Sequence, residues 1–424
     1  MMKDILVEWN PWWTEKYQFK GIPREKLKEI LPWITRKEII AVLGVRRSGK
    51  TTIFYEIIEH LIKNTDPKNI LFIKADDDRV SQEGLINQAI ETYKQLINPE
   101  SKYYVFIDEV QEIPDWQKTI KRIYDLNPET KIFISGSNSQ ILQEELGALL
   151  AGRYAYFEIF PFSFIEYLKT KKIELDEINI IKNKTTIINH LNDYIKYGAF
   201  PEVILEEKPE IKSELAKFYF DSIFYRDVIK RKNIRNPAKM EKLVKYLLQN
   251  TANLTNYTKT AKILELTTDS ITEYIRILEE AYLIFSINIY DFSYKKQVIN
   301  PKKTYCVDTG IRNATGFQFS SDIGRLYENL VFINLRRKNP EIFYWKNKGE
   351  CDFIIKTKNK LEAIQVCYEI NNETKEKETN SLIEAITNFK LKEGLIITGN
   401  YEAEETINGK KIRFAPLWKW LLKE

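Results

Sequence analysis

Five short apolar runs punctuate the first 160 residues: Ile39–Leu43, Ile70–Lys74, Tyr103–Ile107, Lys131–Ser135 and Ala155–Ile159. Each is bounded by polar or Gly/Pro positions, the pattern of a strand buried on both faces. The segments between them are long enough for helices, so the alternation predicts a parallel sheet covered on both sides. From Pro161 the apolar period becomes helical. PFSFIEYLKT, IINHLNDYIKYGAF and SELAKFYFDSIFYRDVIKR each read as an amphipathic helix. The charged, β-branched stretch KTKKIELDEINIIKNKTT reads as a loop or irregular insertion.

Residues 237–300 predict a helix at Ala238–Asn250, a short helix at Tyr257–Leu264, a turn at Glu265–Thr268 and a third helix at Asp269–Ala281 with Asp269 as its N-cap. Two strands follow, Leu283–Tyr290 and Tyr294–Ile299. Helix, helix-turn-helix and hairpin is the order of a winged-helix module. The remainder predicts an α/β domain of its own: helices Asp322–Arg337 and Glu376–Phe389, and strands Ile342–Lys346, Cys351–Lys356, Leu361–Tyr368 and Gly394–Thr398. The expected divisions are therefore 1–160, 161–236, 237–300 and 301–424.

Composition narrows the class. A chain of 424 residues that is 43% apolar and 13% aromatic has ample core material for several domains and is not globally disordered. Cys306, Cys351 and Cys367 have no paired spacing, and His60 and His190 are the only histidines, so a disulfide scaffold and a Cys- or His-rich metal site are not expected. The start, MMKDILVEWNPWW, is unlike a secretion signal, and no run approaches the ~18 apolar residues of a membrane span. A cytoplasmic location is expected. The net charge of +5 permits contact with nucleic acid without demanding it.

The sharpest chemical signal is Gly44-Val45-Arg46-Arg47-Ser48-Gly49-Lys50-Thr51, a match to GxxxxGK[ST] lying between a strand and a helix. Gly44 and Gly49 let the backbone turn its N–H groups toward phosphates, and the helix N-terminus adds positive potential. Lys50 is expected to reach the β- and γ-phosphates, Thr51 to hold Mg²⁺ and Thr52 to touch the α-phosphate. The second half of the signal is Tyr103–Ile107 followed by Asp108 and Glu109. Asp108 is expected to bind Mg²⁺ through water, and Glu109 to orient and polarise an attacking water.

Two further positions each carry two readings. Ser137 or Asn138, after the strand Lys131–Ser135, either senses the γ-phosphate or caps a helix at Ile141–Leu146. Arg153, after a helix that ends in Ala151-Gly152, either stabilises transition-state charge on a neighbouring molecule's phosphate or is a surface arginine favoured by the helix dipole.

With GVRRSGKTT, FIDEV, ISGSNS, LLAGRY, PFSFIEY and YGAFPEV together, essentially the whole chain resembles archaeal and bacterial AAA+-type ATPases with a C-terminal domain of restriction-endonuclease-like shape. The paired Arg46-Arg47 inside the loop strengthens that resemblance. It implies an α/β fold: a P-loop AAA+-type parallel sheet with a helical lid, a winged-helix module and a C-terminal restriction-endonuclease-like domain. It also implies ATP and Mg²⁺ as ligands, ATP hydrolysis, and a homo-oligomer, of which a hexamer is one form. Lys50, Thr51, Asp108 and Glu109 keep the expected chemistry, and Arg153 falls where such proteins place an arginine finger.

A restriction-endonuclease-like domain cleaves with an acidic residue on a helix, an Asp on a strand, and Glu-x-Lys on the next strand. Glu328 fills the first slot and Asp352 the second, with Glu350 on the same face. The third slot reads Gln365-Val366-Cys367, with neither the carboxylate nor the lysine, so a structural or nucleic-acid-docking role is expected over cleavage. The predicted recognition helix sets Arg276 against Asp269, Glu273, Glu279 and Glu280, which disfavours groove reading. Basic residues elsewhere, Arg226, Lys230, Arg231, Lys232 and Arg235 before the module and Lys295, Lys296, Lys302 and Lys303 around the wing, suit backbone contacts. The functional expectation is a Mg²⁺-dependent ATPase acting on nucleic acid. The rivals are an ATP-controlled switch for protein partners and an ATP-fuelled nuclease.

Overall fold

The computed structural model describes residues 1–99, 102–139, 147, 152–316, 323–338, 341–358 and 360–423. The helix expected at Ile141–Leu146 and the residue Ala151 lie outside the described residues. The chain forms two compact units, Met1–Pro161 with Glu280–Tyr282, and Phe162–Glu279 with Leu283–Glu424.

In the first unit five strands form one parallel sheet: β1 (Ile39–Leu43), β2 (Ile70–Lys74), β3 (Tyr103–Asp108), β4 (Thr130–Gly136) and β5 (Tyr154–Glu158), in the order β2-β3-β4-β1-β5. Helix α1 (Met2–Trp9) precedes the sheet, and α2 (Lys50–Ile62), α3 (Leu85–Ile97) and α4 (Trp116–Leu126) join strands of it. Helix α2 turns Ile53, Phe54, Ile57 and Leu61 inward. Phe54 meets Phe106 edge-on, and Phe106 stacks on Phe133 with centroids 4.2 Å apart, so aromatic packing ties the helix to β3 and β4. The open edge of β2 is covered by the N-terminal segment. The Asn10 amide pairs with both the N–H and the carbonyl of Phe72, at 2.6 and 3.0 Å, while the Trp12 and Trp13 indoles donate to Ile70 O. These polar caps consume the backbone groups that an edge strand would otherwise expose.

The second unit begins with helices α5 (Phe164–Thr170), α6 (Glu177–Lys182), α7 (Lys184–Tyr197) and α8 (Pro209–Ser222), the last continued by a π-helical stretch, Ile223–Lys230. The stretch expected to be irregular thus contains α6. Asp176 starts it by accepting the Asn179 N–H at 3.1 Å, though Ile178 and Ile181 on it face solvent. At the end of α7, Gly198 has φ +85°, and a Cβ there would come within 2.1 Å of the Asp308 carboxylate. That carboxylate accepts the N–H groups of Ala199 and Ile311, so the Tyr197-Gly198-Ala199 turn needs glycine to seat it.

Helices α9 (Pro237–Gln249), α10 (Tyr257–Leu264) and α11 (Thr268–Glu280) follow, with strands β6 (Asn253–Thr255), β7 (Ile284–Ile287) and β8 (Lys302–Cys306) in an antiparallel sheet ordered β6-β8-β7. Two expectations are corrected here. Helix α11 is capped by Thr267, whose hydroxyl accepts the Ser270 N–H at 3.1 Å, so Asp269 lies inside the first turn. The expected strand Tyr294–Ile299 is a helix, α12, and the partner of β7 is β8. Tyr294, Val298 and Ile299 are all exposed, so no sheet face was available to bury that run, and Asp291 turns the chain by accepting the Ser293 N–H.

After helices α13 (Thr309–Thr315) and α14 (Ile323–Arg337) come β9 (Glu341–Lys346), β10 (Glu350–Lys356), β11 (Leu361–Cys367), helix α15 (Asn372–Asn388), β12 (Glu393–Thr398), β13 (Ala403–Ile407), β14 (Lys410–Pro416) and helix α16 (Leu417–Leu421). The sheet order is β13-β14-β12-β11-β10-β9. Its core includes Trp345, Ile354, Leu382, Ile386, Ile396 and Phe414. The β9–β10 register shifts between Cys351 and Ile354, the stretch that contains Asp352. All three cysteines are buried and free. Among the described residues no helix is long and apolar enough to cross a membrane.

Candidate nucleotide site and the C-terminal carboxylates

Strand β4 lies between β1, which carries the glycine loop, and β3, which ends in the two carboxylates. The C-terminal ends of three adjacent strands thus converge on one place, where open α/β sheets bind ligands. Gly44 cannot be replaced, since a Cβ there would lie 2.1 Å from Ile159 O. Arg47 and Gly49 adopt left-handed backbone, at φ +70° and +97°, and set the turn into α2. Val45 is buried, Arg46 half-buried and Arg47 exposed. Ser48 is fully buried, and its hydroxyl has no hydrogen-bond partner among the described residues, as expected of a group that awaits a ligand oxygen. Behind the loop, Arg24 donates to Ser48 O and Phe160 O, both at 2.7 Å, fixing its curvature from a position the motif does not reveal.

Lys50 is buried, with Nζ 3.1 Å from Gly44 O, 3.3 Å from Val45 O and 3.5 Å from a Glu109 carboxylate oxygen. The Thr51 hydroxyl donates to Asp108 Oδ2 at 2.7 Å, which brings the two expected metal-associated groups together. Asp108 is fully buried. Desolvation and the adjacent Glu109 charge push its carboxyl up to about 6. Glu109 sits at φ 52°, ψ 48°, an uncommon left-handed conformation for a residue with a Cβ.

Two residues outside the motifs hold this pair. Ser135, on β4, donates its hydroxyl to Asp108 and accepts the Glu109 N–H at 2.9 Å. Gln111 donates to Glu109 Oε2 at 2.5 Å and reaches Ser137 Oγ at 3.4 Å, which connects Ser137 to the carboxylate. Asn138 is buried beside Ser137 in sequence. A strand reading treats Ser135 as a small residue in an apolar run; its place at the end of the middle strand is the only hint of its role. Ser135→Ala is expected to leave the Glu109 N–H without its buried acceptor, at a cost of roughly 1–3 kcal/mol. If that cost falls on the transition state, turnover drops roughly 10- to 100-fold, with ATP affinity little changed, as steady-state kinetics and calorimetry would show.

Thr52 opens onto a cavity of about 450 Å³ whose other walls include Tyr17, Phe19, Gly21 and Tyr55. Arg153 lies at the other end of the sheet. Its carbonyl accepts the Ile39 N–H at 2.8 Å, at the start of β1, and its guanidinium is 3.5 Å from Asp125 and faces the Tyr124 ring.

In the second unit the four C-terminal positions also come together, around a residue assigned elsewhere. Lys303 was expected on the wing surface. It is buried, with Nζ 2.9 Å from Glu328 Oε1, 2.8 Å from Glu350 Oε1 and 2.8 Å from Asp352 Oδ1. Gln365 accepts the Asp352 N–H at 3.0 Å and donates to Glu378 at 2.6 Å. Burial and the Asp352 charge push Glu328 up to about 7. Burial also opposes the Lys303 charge, but Asp352 and Glu328 outweigh it and hold the ammonium well above the usual lysine range. Glu350 stays below the usual carboxylate range, because Lys303 and Lys346 overcome its burial. Among the described residues no group of three or more His, Cys, Asp or Glu side chains is arranged to hold a metal ion. The Lys303 ammonium stands among the carboxylate oxygens that a nuclease-type metal would need.

Of the remaining basic residues, Arg231 pairs with buried Asp227 at 3.2 Å, and Lys296 lies 3.5 Å from Asp291. Arg226, Lys230, Arg235 and Lys295 are exposed. On α11, Arg276 is bound by Glu273 at 2.7 Å, while Ile271, Ile275 and Leu278 are buried.

A parallel sheet ordered β2-β3-β4-β1-β5, with a glycine loop after β1 and paired carboxylates after β3, defines an ATP-binding P-loop protein. Comparison with known proteins agrees. Residues 36–168 match the family description AAA domain, residues 188–321 a domain of unknown function (DUF8612), and residues 323–420 a domain of unknown function (DUF4143). The chain is 37% identical over 405 residues to the uncharacterized protein MJ1544 of Methanocaldococcus jannaschii, a match covering 91% of this chain and 88% of that protein. It is 29% identical over 412 residues to an uncharacterized protein of Haemophilus influenzae, covering 94% and 98% respectively. Among solved structures it is similar to the Aeropyrum pernix Orc1 protein in complex with DNA, at 12% identity and TM-score 0.33, covering 72% of this chain and 95% of that one. The chain belongs to the AAA+-type P-loop ATPase family.

Proposed function

We propose that the protein is a Mg²⁺-dependent ATPase that works as a homo-oligomer and couples ATP turnover to nucleic-acid binding or remodelling. The observation that carries the hydrolytic part is the connected set Lys50, Thr51, Asp108, Ser135 and Glu109 at the ends of three adjacent strands. The orphan Ser48 hydroxyl, the Gly44 cradle and the Thr51–Asp108 pair suit a magnesium triphosphate. When bound, Mg²⁺ supplies charge neutralisation at the phosphates. The chain's own residues do the rest. The loop N–H groups and Lys50 bind phosphate oxygens, and Thr51 and Asp108 hold the metal. Glu109, fixed by Ser135 and Gln111, orients water and receives its proton. The cavity lined by Tyr17, Phe19 and Tyr55 is the place assigned to the base, because its aromatic walls suit stacking on a purine face.

The position of Arg153 at the sheet end away from its own loop suits action on a neighbouring subunit's phosphate. The helix-and-sheet arrangement of α9–α11 with β6–β8 supports a winged-helix reading, and exposed Arg226, Lys230, Arg235 and Lys295 offer contacts to a nucleic-acid backbone. A second reading, an ATP-controlled switch for protein partners, is favoured by one observation: the recognition-type helix α11 is acidic and its Arg276 is already neutralised. ATPase assays against single-stranded, duplex and branched DNA and RNA, with oligomer mass measured in parallel, separate the two. Stimulation by nucleic acid supports the first, and flat turnover across the panel supports the switch. Arg153→Ala is expected to retain ATP binding and lose turnover, with partial recovery when mixed with Lys50→Ala subunits. Undiminished turnover in Arg153→Ala returns that residue to a surface role.

A further inference from the structure

The C-terminal carboxylates have the placement of a nuclease centre, but a cation from a different part of the fold stands among them. Glu328 comes from α14, Glu350 and Asp352 come from β10, and Lys303 comes from β8, the middle strand of the three-stranded sheet. An ammonium has three N–H donors and no more. Here Nζ lies within 2.8–2.9 Å of one oxygen from each of three carboxylates, so every donor has a carboxylate acceptor and none is left to orient a water or hydroxide. The opposing oxygens of Asp352 and Glu350 are engaged as well. Asp352 Oδ2 accepts the Val366 N–H at 2.9 Å, and Glu350 Oε2 lies 3.3 Å from Lys346. Tyr305, on the same face of β8 as Lys303, donates to Glu328 Oε1 at 2.7 Å and stacks on Phe332 of α14 at 4.2 Å, which locks the strand that delivers the lysine.

We infer that the Lys303 ammonium takes the place of a divalent metal in this domain, closing the nuclease-type site against metal and fastening β8 to α14 and β10. The reasoning is geometric and electrostatic. A metal needs these same carboxylate oxygens at 2.0–2.6 Å. It could reach them only by expelling an ammonium whose side chain is 2% exposed and has no bulk water to enter. Charge-assisted hydrogen bonds to three carboxylates oppose that exchange. The missing lysine of Glu-x-Lys has thus not simply been lost. A lysine from a distant strand is present, held in a role that excludes the chemistry instead of assisting it.

The test is Mn²⁺ binding by the full-length, nucleotide-free protein, followed by electron paramagnetic resonance. Wild type and Asp352→Asn are expected to take up equal Mn²⁺. Lys303→Met, which keeps the apolar stem and removes the charge, is expected to gain one Mn²⁺ per chain, and Lys303→Met/Asp352→Asn to lose it again. A wild-type Mn²⁺ site that Asp352→Asn abolishes overturns the inference. So does Asp352-dependent cleavage of plasmid DNA by wild type, or a folded Lys303→Met that gains no site. If Lys303→Met does not fold, the comparison of wild type with Asp352→Asn still decides.

Discussion

Lys50→Ala is expected to abolish tight ATP binding and to lower turnover by at least about 10²-fold, the scale on which single preorganised charge contacts act in reaction centres. The lysine is already inside the loop before any phosphate arrives. Its Nζ bridges Gly44 O and Val45 O and faces Glu109, with the side chain only 3% exposed. Binding a triphosphate requires only that it trade carbonyl acceptors for phosphate oxygens, and no charge has to be brought in from water. Alanine leaves those carbonyls without a donor and the β/γ-phosphate charge without its nearest cation. Because the side chain is buried, calorimetric titration with ATP should be paired with a thermal melt. A folded variant with undiminished ATP uptake and turnover would remove the basis of the assignment.

How much of this was legible depends on what each strand buries. The sheet of the first unit was visible because β1 and β3 are buried at every position, which writes an uninterrupted apolar run into the sequence. The glycine loop was visible because its constraints fall on glycine itself, as the clash a Cβ at Gly44 would make with Ile159 O shows. Ser135 and Arg24 were not visible, since each acts through a contact distant in sequence, and Gln111, only two residues from Glu109, belongs to no spaced motif. Strand β8 was hidden for a related reason. Its first residues are Lys302 and Lys303, which read as solvated charge, yet Lys303 is buried by carboxylates as far as 49 positions away. Strands β13 and β14 were missed because β13 buries no residue fully, β14 alternates exposed charges with a few buried residues, and neither shows an apolar run. The run Tyr294–Ile299 erred in the other direction, as a strand-like composition with no sheet to cover it. Local pattern reports burial when neighbours in sequence share it. It fails where one buried charge is matched by partners from other elements.

Glu109→Gln is expected to separate binding from hydrolysis: ATP affinity within a few-fold of wild type, and turnover lower by about 10²–10⁴-fold, the usual worth of a positioned general base. The amide keeps the length and shape of the side chain. It can still meet Lys50 or Gln111 through its oxygen, and the backbone N–H that holds the left-handed turn on Ser135 is untouched. What it loses is the charge that polarises water and the lone pair that takes the proton. The substitution also removes a like charge beside Asp108, one of the causes that hold that carboxyl high. The Mg²⁺ dependence of ATP binding is therefore measured alongside turnover, which separates a change at Asp108 from the loss of the base. Equilibrium binding with single-turnover hydrolysis distinguishes the outcomes. Slow chemistry with intact binding assigns the base to Glu109, whereas an unchanged single-turnover rate would mean that another group activates the water.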